Sequence, residues 1–261
     1  MTRELDTAVR LCELAECALS DVEIETAIAS ADRARKLLAP CASVLEGGVF
    51  VRASTAQVDA LALSDDLKRA KVVAATAVRW SSHCQVEGRF AALARLKLLE
   101  VEEMRRRYVD AAKGFEWLER CLPAEQWAAP LTMRCANHML SIGVHNADRF
   151  IAERGVACGA RVRSMVTDVD EVSAWLQWRG LHESRRHQHD AAAQTFAESF
   201  ELRATTARRD ITRRFIEAEM AFFEDDAAGV AMLSEAVELA RQAGLVRHAR
   251  AASRHMSRYF V

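Results

Sequence analysis

Apolar and small residues recur along this chain at intervals of four, three and three. In "DAAAQTFAESFELRATTARRD", residues 190 to 210, Ala192, Phe196, Ser199 and Leu202 have that spacing and fall on one face of a helix. The same spacing returns at Ala111, Phe115, Leu118 and Cys121, with Pro123 just beyond to stop the helix. It returns again at Ala27, Ala31, Ala34 and Leu37, closed by Pro40, and at Gly229, Leu233, Ala236 and Leu239, closed by Gly244. Weaker copies start at Ala70, with Ala74, Ala77 and Trp80, and at Ala147, with Ile151 and Arg154. The starting positions 27, 70, 111, 147, 192 and 229 lie about 36 to 45 residues apart, the length of one helical hairpin.

A second helical pattern precedes each copy. Capping residues at Ser20-Asp21, Ser64-Asp65, Asn146, Asp190 and Asp225 mark where the second helices should begin. The first helices are then expected at roughly 5–18, 49–63, 86–107, 129–144, 171–187 and 207–223, with Pro130, Asp168/Asp170 and Thr206 as start signals. A thirteenth helix is expected at about 246–259. One hairpin cannot bury both of its apolar stripes, whereas stacked hairpins cover one another. The expected fold is therefore all-α: a right-handed α-solenoid of about six antiparallel hairpins plus a C-terminal capping helix, as a single domain over 1–261.

This alternation resembles the tetratricopeptide repeat, a helix–turn–helix unit whose second helix carries small and large residues at these spacings. The stretch "GLHESRRHQHDAAAQTF" is the most similar, with Gly180 twelve residues before Ala192, at the family's small first-helix position. Trp175 and Trp178 lie near the place of its first-helix aromatics. Units at 92–123, 171–205 and 207–244 carry the resemblance best. The longer spacing resembles arrays in bacterial signalling proteins, such as the sensor regions of transcription activators and diguanylate cyclases. In such arrays the first helices line the concave surface. Carried over at matching positions, the groove would hold Arg52, Thr55, Asp59, Glu100, Glu103, Thr132, Gln177, Arg185 and Arg214.

Composition agrees with helix. The 261 residues are 51% hydrophobic and 28% charged, with only 3 prolines and 10 glycines. No alternating valine/isoleucine run suggests a strand. A formal net charge of −1 gives no global attraction to nucleic acid or anionic membrane. The 7 cysteines, without CxxC pairs, read as buried reduced thiols in a cytosolic protein. The acidic N-terminus is not a secretory signal, and no apolar run of about 18 residues suggests a membrane span. A cytoplasmic protein is expected.

No residue set points to catalysis. In "HESRRHQHD", His182 and His187 are five apart, so they do not share a helical face as a zinc pair would; His187 and His189 belong to a solvated turn. Cys135 and His138 share a face, but two ligands do not close a metal site. His83 and Cys84 point to different faces. "GVACGA" lacks phosphate-loop spacing, and "TDVDE" lacks the glycine and distal glutamate of a calcium loop and reads as a cap. Glu102-Glu103 beside Arg105-Arg106-Arg107 reads as a salt-bridged exposed face. No catalytic residue, metal or cofactor is expected.

Near the C-terminus, Arg247, Arg250, Arg254 and Arg258 form a basic stripe, read as the polar face of a capping helix or as a contact for an acidic partner. The leading expectation is a non-enzymatic protein- or peptide-interaction module with a sensory or scaffolding role in a bacterial regulatory system, as a monomer or a homo-oligomer. Two alternatives stay open: a receptor for a peptide or small ligand, and a nucleic-acid-associated regulator using the arginine stripe. Nucleic acid is the less favoured partner, and no membrane partner is expected.

Overall fold

A computed structural model of the chain describes residues 3–39, 43–202, 207–221, 226–245 and 249. Among the described residues there are twelve α-helices and no strand. Two compact units divide the chain: Met1–Val86 with Ala204–Val261, and Glu87–Arg203. The first unit holds α1 (Arg3–Ser20), α2 (Ile24–Leu37), α3 (Val44–Leu63), α4 (Leu67–His83), α11 (Ala207–Ala221) and α12 (Asp226–Gln242). The second holds α5 (Gly88–Met104), α6 (Tyr108–Cys121), α7 (Ala129–Asn146), α8 (Arg149–Val162), α9 (Val169–Arg185) and α10 (His189–Glu201). The expected thirteenth helix and its arginine stripe, Arg247, Arg250, Arg254 and Arg258, lie outside the described residues, as do Pro40, Cys41, Thr206 and Asp225.

One turn, repeated five times, makes the hairpins. Val22, Asp65, Arg106, Ala147 and His187 each have φ between 55° and 66°, although none is glycine. The next residue closes the turn by donating its backbone N–H five residues back, as in Glu23 to Ala18 (2.7 Å), Asp66 to Leu61 (2.8 Å), Arg107 to Glu102 (3.0 Å), Asp148 to Gly143 (2.9 Å) and Gln188 to Glu183 (3.1 Å). That same residue opens the second helix. Its carbonyl accepts from the N–H of an alanine four residues on: Ala27, Ala70, Ala111, Ala152 and Ala192. All five alanines are buried. A left-handed backbone costs a side-chain-bearing residue about 1–2 kcal/mol, which the hydrogen bonds and the buried alanine offset.

This turn corrects the expected copy at 147. Ala147 is the left-handed residue after α7, Asn146 ends that helix, and Asp148 caps α8 by accepting from the Ile151 N–H at 3.2 Å. The second-helix pattern therefore starts five residues later and runs Ala152, Val156, Gly159, Val162, bringing the repeat close to a regular interval of about 40 residues. The other caps also shift. Glu23, Asp66 and Gln188 take the positions expected of Ser20-Asp21, Ser64-Asp65 and Asp190. Asp168 caps α9 as expected, accepting from the N–H groups of Asp170 and Glu171.

Within the second unit each first helix packs on both helices of the preceding hairpin: α7 on α5 and α6, and α9 on α7 and α8. α3 packs in the same way on α1 and α2 in the first unit. The α11–α12 hairpin joins that unit through a cluster of Ile211, Ala218, Leu233, Val237, Ala240 and Leu245 that includes Leu63, with Leu19, Val22 and Ile24 against it. The core of the second unit is larger and contains the fully buried Leu96, Phe115, Met133, Met139, Leu140, Trp175 and Leu176. Each large side chain so buried stabilises by about 1.5–3 kcal/mol.

Two glycines make this packing possible by close approach. A Cβ on Gly180 would stand 2.7 Å from the ring of Phe196, and one on Gly159 would stand 2.1 Å from Nε1 of Trp175. Trp175 is buried between hairpins and donates Nε1–H to the Gly155 carbonyl at 3.3 Å. Its ring has no room to retreat. Gly159→Ala is therefore expected to destabilise the protein by about 1–3 kcal/mol despite the better helix propensity of alanine, measured by urea unfolding followed through tryptophan emission. An unchanged midpoint would contradict this packing.

Candidate functional site

Three first helices of the second unit, α5, α7 and α9, lie side by side and share a band of charge. The band begins in an apolar context: Lys97 and Glu100 stand in the run Leu96–Val101, where four of six residues are apolar. Both charged side chains are only 3% exposed and meet at 2.9 Å, Nζ to Oε2. Burial opposes the ionised carboxyl of Glu100, but Arg134 and Lys97 outweigh it and hold its pKa well below the ordinary carboxylate range. Arg134 reaches across from α7, with Nη2 2.6 Å from Glu100 Oε1.

His138 sits one turn further along α7, between two carboxylates. Its Nδ1 is 2.5 Å from Glu103 Oε2 and its Nε2 is 3.3 Å from Glu100 Oε1, so each ring nitrogen donates and the ring is an imidazolium. Burial works against that charge; Glu103 and Glu100 overcome it and push the pKa up to about 10. The ring of Phe115 lies parallel at 4.9 Å and covers one face. Ser141 donates its hydroxyl to Glu103 at 3.0 Å. On α9, Glu171 accepts from Asn137 Nδ2 at 3.0 Å and lies 3.9 Å from Arg134 Nε. Three cations and three carboxylates thus tie the helices together.

Outward from this band, Arg134 and His138 keep 24% of their side-chain surface exposed. His145, at the end of α7, packs its ring 5.3 Å from that of Trp178 on α9.

The nine residues expected to line a groove divide between the units. Arg52, Thr55, Asp59 and Arg214 belong to the first, and Glu100, Glu103, Thr132, Gln177 and Arg185 to the second. Arg52 grips Glu16 on α1 through two bonds, at 2.6 and 2.5 Å, and Thr55 is buried, donating to the Arg52 carbonyl. Asp59 is half-buried. Arg214 is exposed and faces Asp210 and Glu235. Thr132 and Gln177 are buried, and Gln177 donates to Ser173 at 3.3 Å. Arg185 donates to the Val144 carbonyl at the end of α7. The structure brings Glu100 and Glu103 together through His138 and does not leave Glu100, Thr55, Thr132 or Gln177 open to solvent. Glu103 is therefore not part of the expected exposed salt-bridged face; Glu102 alone meets Arg105 and Arg107.

Lys97, Arg134 and His138 were not among the expected site residues, although charges inside an apolar helical stripe are a readable signal. Thiol chemistry has little support. Burial pushes the thiols of Cys12 and Cys158 up to about 12 and that of Cys135 well above the ordinary range, so they stay protonated. Cys17 and Cys121, expected to be buried, are exposed. Among the described residues no three His, Cys, Asp or Glu side chains are placed to hold a metal ion, and no helix is long and apolar enough to cross a membrane. Compared with protein-family models, curated proteins and solved structures, the chain finds no match.

Glu100 is the carboxylate shared by Lys97, Arg134 and His138. Glu100→Ala is expected to cost about 3–5 kcal/mol, because Lys97 would be left buried with its neutralising carboxylate gone; chemical denaturation measures it. Alkali should act through His138. Its folded pKa is raised, so its stabilisation is complete below the ordinary imidazole pKa and is lost as pH rises through about 10. A stability–pH profile should fall across that window in the wild type and flatten in His138→Gln.

Proposed function

We propose that the chain is a non-enzymatic protein- or peptide-interaction module whose recognition face is formed by α5, α7 and α9. The observation that carries this reading is the charge band across the three helices, because it locks neighbouring hairpins into one register while Arg134, His138, His145 and Trp178 remain at the surface. A face ordered before binding loses little side-chain freedom on association, and arginine and tryptophan are favoured anchors at such surfaces. Balanced charge suits a partner that is itself mixed polar and apolar. It does not suit a polyanion.

The likeness to tetratricopeptide arrays belongs to the same reading. It is supported by the second-helix spacing, by Gly180 opposite Phe196, and by each first helix packing on both helices of the hairpin before it. The sensory or scaffolding role in a bacterial regulatory system rests on that resemblance alone.

The test is cross-linking of the tagged chain in its host, with partners identified and their cross-linked positions mapped, followed by titration of the purified partner against wild type and Trp178→Ala. Cross-links to α5, α7 or α9 and an affinity at least about tenfold weaker in the variant are expected. A partner that cross-links elsewhere and binds both forms equally would reject this face.

A further inference from the structure

The stretch "HESRRHQHD" carries no metal site among the described residues, yet its first histidine is in an unusual position. His182 lies in the last turns of α9, 7% exposed, and its buried Nε2 has no hydrogen-bond partner among the described residues. A buried imidazole nitrogen left unpaired is tolerable only while the ring is neutral, because a charge there would have to be solvated by something.

The surroundings offer little to do so. From α8, Arg149 and Glu153 act on the ring; from α9 and its C-cap, Glu183 and Arg186 do. Glu153 already accepts from Arg149 at 2.7 Å and from Arg186 at 3.2 Å. Arg149 holds the Glu153 carboxyl below its usual pKa, so it remains ionised and engaged in mild acid. Glu183 accepts from Arg179 at 2.7 Å and, from α10, from the Thr195 hydroxyl at 2.7 Å. On the α7 side, the end of the helix brings His145 against Trp178 and its Val144 carbonyl to Arg185. A proton on His182 would add a third cation beside Arg149 and Arg186, next to carboxylates that other donors occupy.

We infer that the α9–α10 hairpin is an acid-responsive element: protonation of His182 loosens the end of α9 from α8 and opens the turn that carries His187 and His189, while α7 keeps its structure. The turn is suited to opening. His187 already holds a left-handed backbone, His187 and His189 are both exposed, and an Arg186–Glu153 pair links this turn to α8. Burial, then Arg186, lowers the pKa of His182. Its contribution to stability is therefore complete above the ordinary imidazole pKa and is lost as pH falls below it. Other carboxylates and histidines of the unit are not needed for this response, which depends on one nitrogen.

Hydrogen exchange of the whole chain, corrected for intrinsic rate, tests this directly. Between about pH 7.5 and about pH 5, protection across 176–195 should fall by at least about tenfold in the wild type and by less than about twofold in α7. In His182→Gln the fall should vanish; in His187→Asn/His189→Asn, which alters only the exposed turn, it should persist. Equal protection at both pH values, the same fall in His182→Gln, or its loss in the turn variant would overturn the assignment. Should His182→Gln not fold, the imidazole resonances of His182 in the wild type decide: a ring still neutral at about pH 6 supports the inference, and one already charged there overturns it.

Discussion

A helix that reverses direction within two residues must put one of them at positive φ, and in this chain that requirement sets the repeat. Val22, Asp65, Arg106, Ala147 and His187 occupy the strained position, and each is followed by the cap residue and, four residues after that, by the buried alanine whose N–H the cap carbonyl accepts. Because the cap and the alanine are joined by a helical hydrogen bond, the depth to which the second helix sinks against the first is settled at the turn. Everything further along the hairpin inherits that depth. Large residues such as Phe115 and Phe196, and the small ones opposite them, meet because the alanine has already fixed the distance between axes.

The apolar rhythm made the hairpins legible, since small residues at four, three and three are visible without coordinates. The turn was harder to read. Glycine, proline and a serine or aspartate cap are the readable turn signals, whereas the chain places valine, aspartate, arginine, alanine and histidine at the left-handed position and caps with glutamate, arginine or glutamine in three of the five turns and with aspartate in the other two. The copy at 147 was misplaced for that reason: Ala147 looked like a packing alanine and is a turn residue, while Ala152 does the packing. The candidate groove failed differently. Helical spacing places Lys97, Glu100 and Glu103 within two turns of one helix, but Arg134, His138 and Ser141, which meet the two carboxylates from α7, come from packing that periodicity does not encode.

Charges inside a helical core seldom raise stability over an apolar replacement, because desolvating them costs as much as their attraction returns. What the band on α5, α7 and α9 supplies is direction. An apolar stripe tolerates sliding by one helical turn, whereas Glu100 must meet both Lys97 and Arg134, and His138 must lie between two carboxylates. A slipped register would leave at least one charge buried and alone. The arrangement thus discriminates against neighbouring packings of the same helices even where it adds little to the depth of the correct one.

The equality of three cations and three carboxylates in that band has a kinetic consequence. Opposite charges so closely interleaved cancel within a few ångströms, and the field beyond the surface decays faster than the ionic atmosphere alone would require. A molecule approaching this face is neither drawn in nor turned away from a distance. Were this face to take a partner as proposed, encounter would proceed at the unassisted rate of about 10⁵–10⁶ M⁻¹s⁻¹ with a weak response to ionic strength, and selectivity would lie in how long the partner stays.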